Sequence, residues 1–163
     1  MASLFEGNAS EWGGKVFTAE PYPVTSVDIA KFAISLGVRD AIHFDRAAAR
    51  RLGYPDVVAP LGYYVVVRLS RPHLIDITCL ARDGTSDYDM PPSRTTTRMA
   101  GETLVEFRRS ITAGDRITLR QEITGVEEKQ GRSGPLGVVR YEFSYLDAGE
   151  EEMIHETYSR LVR

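Results

Sequence analysis

Between Gly37 and Tyr64 the chain reads GVRDAIHFDRAAARRLGYPDVVAPLGYY, and this stretch holds residue types suited to proton chemistry. One histidine, His43, follows closely after one carboxylate, Asp40. An imidazole titrates near neutrality, so it can take and return a proton under ordinary cellular conditions. A helix start follows at Ala59-Pro60-Leu61-Gly62. The free N–H groups of such a start can hold a developing oxyanion. Together these give His43 to move a proton, Asp40 to assist it, and the N–H of Gly62 or Leu61 to face a carbonyl oxygen. Each residue also has a plainer reading. His43 can be a buried ring bonded to a backbone carbonyl, Asp40 a solvated residue after a helix end, and Gly62 a site of close helix–sheet packing.

Other chemistries lack their residues. His43, His73 and His155 lie far apart, and none stands at metal-ligand spacing from Cys79, so no metal site is expected. The lone Cys79 excludes an internal disulfide. No Gly-x-Ser-x-Gly elbow is present. Gly131-x-x-Gly134-x-x-Gly137 contains Pro135 and lacks a following helix, so it reads as a hairpin turn rather than a nucleotide loop. A net charge of −3 gives no electrostatic footprint for nucleic acid or an anionic membrane. With no basic leader before an apolar core and no apolar run of about 18 residues, a cytoplasmic protein is expected.

The elements that must position these groups follow from periodicity. The 163 residues suit one domain, with residues 1–20 as an N-terminal arm in which Val16-Phe17 makes a short strand. Thr25-Ser26-Val27-Asp28 resembles a capping box, and Ile29, Phe32, Ala33 and Leu36 fall on one helix face that Gly37 ends. Asp45 caps a shorter helix over Ala47–Leu52. The segment from Leu61 to Leu69 is ambiguous. Its three valines favour a strand, while Pro60 at the start and Leu61, Val65, Val66 and Leu69 in helical register favour a buried helix. Residues 71–101 read as a long flap carrying Asp87, Tyr88, Asp89 and Arg94, with a helical turn over Leu74–Leu80. From Glu102 the period becomes two, giving four strands with turns at Ala113-Gly114-Asp115, Gly131–Gly137 and Asp147-Ala148-Gly149. Those strands are expected as an antiparallel meander, and helices before a sheet make the class α+β.

Several strings carry a resemblance: the helix Val24–Leu36, Gly37 to Ile42-His43-Phe44-Asp45, Ala47-Ala48-Ala49-Arg50, Gly53-Tyr54-Pro55-Asp56-Val57-Val58-Ala59-Pro60, and the later Gly114-Asp115 turn. Their order and spacing resemble a single hot-dog domain of the MaoC-like hydratase/dehydratase group, in particular the N-terminal-type halves of fatty-acid and mycolic-acid dehydratases. The resemblance implies a curved antiparallel sheet wrapped around a long central helix, here Leu61–Ser70, which decides the ambiguous segment for helix. It implies reversible addition of water across a 2-enoyl thioester carried on coenzyme A or an acyl carrier protein, with no other cofactor. It implies pairing as a homodimer or heterodimer, and a pocket formed by Pro60, Leu61, Tyr63 and Tyr64. In that family's Gly-Asp-x-Asn-Pro-x-His motif, Asp and His hold the catalytic water. Here Gly37 and His43 match, but Val38 stands at the Asp, Asp40 at the Asn and Ala41 at the Pro. Valine can neither accept a proton nor orient water. Three explanations follow: Asp40 takes the carboxylate role, or the chain is a non-catalytic acyl-binding subunit of a heteromer whose partner brings the complete motif, or the chemistry needs only a histidine and an oxyanion site, as isomerisation or elimination does. A thioesterase or a tailoring enzyme of polyketide-like metabolism is a further alternative.

Overall fold

The computed structural model describes residues 3–70, 90–95, 97–132 and 134–163. The expected turn of helix over Leu74–Leu80 and most of the expected flap lie outside these residues. Alternation of apolar and polar residues builds a six-stranded antiparallel sheet from β1 (Val16–Thr18), β2 (Tyr22–Pro23), β3 (Arg98–Phe107), β4 (Arg116–Gly131), β5 (Gly134–Leu146) and β6 (Glu152–Val162). Ile117, Leu119 and Ile123 of β4, Val139, Tyr141, Phe143 and Tyr145 of β5, and Ile154 and Val162 of β6 turn one face into the core. This is the parity that places alternate side chains on a buried face.

The strand order is β1-β4-β5-β6-β3, with β2 also on β4. The expected meander is therefore corrected: β3 pairs with β6, across the sheet from its neighbour in sequence. The link between β3 and β4 must cross three inter-strand spacings, about 14 Å. It is pinned on the way. The N–H groups of Arg108 and Arg109 donate to the carbonyl of Met153, and the Arg109 guanidinium reaches Asp115 at 3.1 Å and Asp147 at 3.4 Å. Two strand limits also differ from expectation. β3 begins at Arg98 rather than Glu102, and β4 and β5 run on to Gly131 and from Gly134. Gly137 thus lies inside β5. Its missing side chain makes room for Phe5, since a Cβ there would sit 2.8 Å from the Phe5 ring.

The helices lie where capping chemistry puts them. In α1 (Ser26–Ser35) the Thr25 hydroxyl accepts the Asp28 N–H at 3.1 Å and donates to the Asp28 carboxylate at 2.6 Å. Ile29 and Ala33 are buried, Phe32 is half-buried, and Leu36 falls outside the helix as its exposed cap. Gly37, at φ +70°, takes the left-handed position after that cap, with its N–H on Ile34 and that of Val38 on Ala33. α2 (Arg46–Arg51) is capped by Asp45, which accepts the Ala47 N–H at 2.8 Å. The ambiguous segment is helical: a 3-10 turn over Leu61–Tyr63 runs into α3 (Tyr64–Leu69), laid on the buried face of the sheet. Tyr63 and Val67 are buried in the core, and Tyr64 meets Phe107 of β3 and Tyr145 of β5, each at 5.9 Å between ring centroids.

Candidate functional site

His43 closes a short 3-10 turn, Ala41–His43, and is 8% exposed. Its ring is held by the strand-like segment leading to α3. Nδ1 lies 2.6 Å from the carbonyl oxygen of Val58, and the Val58 N–H donates back to Ile42 at 3.0 Å. A carbonyl can only accept, so Nδ1 carries a proton, and in the neutral ring Nε2 holds the lone pair. The bond therefore selects the tautomer in which the basic nitrogen is the one not spent on the backbone.

The same segment is clamped from its other side. The Ala59 N–H donates to Ile111 at 2.8 Å, and the Ala113 N–H donates to Val57 at 3.0 Å. The link that crosses the sheet thus holds the strip on which His43 is mounted. Val57, Val58, Ala59 and Pro60 are all buried, so the strip is fixed by packing as well as hydrogen bonds. It runs straight into the 3-10 turn at Leu61. The Tyr63 N–H returns to Pro60, while those of Leu61 and Gly62 lie ahead of any carbonyl the helix could offer them. Leu61 is 70% exposed, so this helix start opens outward.

The remaining candidates separate by burial. Asp40 is exposed and caps the 3-10 turn, its carboxylate accepting the Ile42 N–H at 3.2 Å. Gly62 is half-buried, and a side chain there would touch the Phe32 ring at 3.6 Å. Tyr63 is enclosed: Phe32 stands edge-on at 5.5 Å and its hydroxyl lies 3.4 Å from that of Tyr22. Burial raises its phenol well above the ordinary range, and burial does the same to Tyr64 to a smaller extent, with the Glu156 charge adding to it. Two arginines at the end of β3 are engaged in ion pairs: Arg108 pairs with Glu152 at 2.7 Å and Arg109 holds the crossing link. Among the described residues, no group of three or more His, Cys, Asp and Glu side chains could hold a metal ion, and no helix is long and apolar enough to cross a membrane.

One polar group escaped the sequence reading. Glu156 on β6 is fully buried, accepts the Tyr145 hydroxyl at 2.7 Å and pairs with Arg68 of α3. Burial, then the Glu156 charge, drives the Tyr145 phenol far above its ordinary value. The guanidinium of Arg68 also lies over the Tyr158 ring at 4.8 Å. The available signal was parity: Glu156 falls between Ile154 and Tyr158 at an inward-facing position of an alternating strand.

Residues 11–156 match the family described as the FAS1-like dehydratase domain region. The UPF0336 protein of Clavibacter michiganensis is 28% identical over 154 residues, covering 94% of this chain and 94% of that protein. The HadBC complex of Mycobacterium tuberculosis, a 3R-hydroxyacyl-ACP dehydratase, superposes with a TM-score of 0.71 at 16% identity, over 94% of this chain and 99% of that one. A MaoC-like dehydratase superposes with a TM-score of 0.70 at 21% identity, over 93% of this chain and 42% of that chain, so this chain spans under half its length. The sheet laid around a helix is the hot-dog fold those structures share. By the match over most of its length, the chain belongs to the family described as the FAS1-like dehydratase domain region.

Proposed function

We propose that the chain interconverts 3-hydroxyacyl and 2-enoyl thioesters, carried on coenzyme A or an acyl carrier protein, with His43 as its acid and base. The observation that carries this is the Nδ1 bond to the Val58 carbonyl, which leaves Nε2 as the ring's basic nitrogen and ties the ring to the strip that leads into the central helix. In the dehydration direction Nε2 takes the proton from the carbon next to the thioester carbonyl. The electron pair moves onto the carbonyl oxygen, where the N–H groups of Leu61 and Gly62 offset the charge. The pair then returns as the carbon–hydroxyl bond breaks, and the imidazolium gives its proton to the departing hydroxide to make water. One imidazole thus balances both proton transfers. Asp40 assists by shaping the turn that ends in His43.

The test compares two replacements in purified protein. His43→Ala removes the base and leaves the Val58 carbonyl without its donor, at a stability cost of about 1–3 kcal/mol. His43→Asn can still donate to that carbonyl but cannot act as a base. Both are expected to lower hydration of crotonyl-coenzyme A, followed by loss of enoyl absorbance, by roughly 10²–10⁴-fold. Turnover by the Asn variant within a few-fold of the unmodified chain would remove the assignment.

A second reading is favoured by Val38 and by the Asp40 carboxylate, which is engaged by its own loop. In it this chain shapes the acyl pocket and a second hot-dog subunit brings the missing carboxylate. The HadBC dehydratase, to which the chain is similar in fold, is named as a complex. Activity absent from the isolated chain but restored by a partner with an intact Asp-x-Asn-Pro-x-His motif would select this reading. Either reading places a second domain along β3, whose outer edge is open among the described residues and exposes Met99, Leu104 and Phe107.

A further inference from the structure

A groove lies beside the histidine loop. The end of α1 and the turn after it enclose a volume of about 360 Å³ walled by Ile34, Gly37, Val38, Arg39 and Phe44. Its walls are apolar yet wet: Ile34 is 68% exposed and Phe44 42% exposed. Apolar surface gathered in a concavity beside reactive groups is where a ligand is expected to lie. Arg39 is exposed, and among the described residues its guanidinium has no ion-pair or hydrogen-bond partner. The groove adjoins the candidate site, because the Phe44 ring stands edge-on to the His43 imidazole at 6.4 Å between centroids.

The shape and charge distinguish between the two arms of a thioester. An acyl tail is apolar throughout and gains most from an enclosed cavity. An open groove with apolar walls and a cation on the rim suits an amphipathic chain that ends in an anion. The arm on the sulfur side has that character: methylene and methyl groups interrupted by amides, terminated by a phosphate. We infer that this groove receives the 4′-phosphopantetheine arm of the substrate, with Ile34, Val38 and Phe44 against its carbon groups and Arg39 on its phosphate. The inference rests on the thioester reading above.

Binding separates this inference from the reading beneath it, because it needs no turnover. The probes are S-acetonyl thioethers of coenzyme A, of 4′-phosphopantetheine and of pantetheine, which cannot be hydrated, titrated calorimetrically into the full chain. Arg39→Gln is expected to weaken the two phosphorylated probes about tenfold and leave the pantetheine probe unchanged, as loss of one charge-assisted contact would. Val38→Trp, which fills the groove from a half-buried position, is expected to weaken all three, with circular dichroism confirming that it folds. His43→Ala is expected to bind all three. Unmodified protein that binds the probes while Arg39→Gln and Val38→Trp change nothing would overturn the groove and spare the thioester reading. Unmodified protein that binds none of the probes would overturn both. Loss of the coenzyme A probe alone on Arg39→Gln would assign the contact to the nucleotide end and overturn the assignment of Arg39 to the arm's phosphate.

Discussion

His43 and Asp40 are three positions apart yet do different work in the loop. The imidazole is committed at one nitrogen and open at the other, while the carboxylate is committed to a backbone N–H two residues along. Asparagine can accept that N–H bond as well as aspartate can, and alanine cannot. If Asp40 assists by shaping the turn, Asp40→Asn should keep activity within about threefold, while Asp40→Ala should lose roughly tenfold, since a lost cap costs about 1 kcal/mol. Equal loss in both variants, measured in the same hydration assay, would mean the charge itself is needed. The importance of His43 was legible from the strings around it; its tautomer was not, because the Val58 carbonyl that sets it is distant in sequence. Glu156 was missed for a related reason: its partners, Tyr145 and Arg68, come from two other elements and leave no local trace.

Elements set by local chemistry are legible in the sequence, and elements fixed by distant contacts are not. The Thr25 and Asp45 caps and the Gly37 stop appear at the residues that announce them, because each bond spans only a few positions. Its glycines alone make the Gly131–Gly137 end of the β4–β5 hairpin a turn. Its last glycine is instead strand, shaped by Phe5 from the far end of the chain. Gly137→Ala should therefore cost about 1–3 kcal/mol through overpacking. Adding Phe5→Ala should cost less than the sum of the two single changes, because the same clash is relieved once. Additive effects in thermal unfolding would show that the two do not meet. The β5–β6 turn gives a second test. Asp147 is held below the usual carboxylate range, first by the N–H groups of Glu151 and Gly149 and then by Arg109. A carboxyl depressed in the folded state stabilises fully above its unfolded value near pH 4, and that contribution fades as pH falls through the lowered value. Asp147→Asn should lower the melting temperature at pH 7 and narrow the gap between pH 7 and pH 3. An unchanged gap would show that this turn does not report acid unfolding.

At the scale of the molecule, the β3 edge of the sheet is open and apolar among the described residues, and the 3-10 turn and α3 carry Leu61 and Leu69, exposed at 70% and 54%. An unprotected edge strand with exposed apolar residues is avoided in proteins that stay single. The pairing proposed along β3 predicts that Leu61→Lys with Leu104→Lys halves the mass seen by light scattering in solution and leaves the far-ultraviolet spectrum unchanged. Unaltered mass would place the contact elsewhere. The fold class was legible because four alternating runs behind a set of helices admit few architectures. The strand order was not, since nothing in Arg98–Phe107 states that its partner is β6 rather than β4.

That order dictates when the sheet can be finished. As the chain emerges, β3 comes before β4, β5 and β6, but its neighbour in the sheet is the last of them to be made. Among the described residues, Arg98–Phe107 has no strand to join until β6 has been synthesised and laid on β5. The open flank from which a second subunit is proposed to hang is thus the final seam to close, so assembly must wait for completion of the fold.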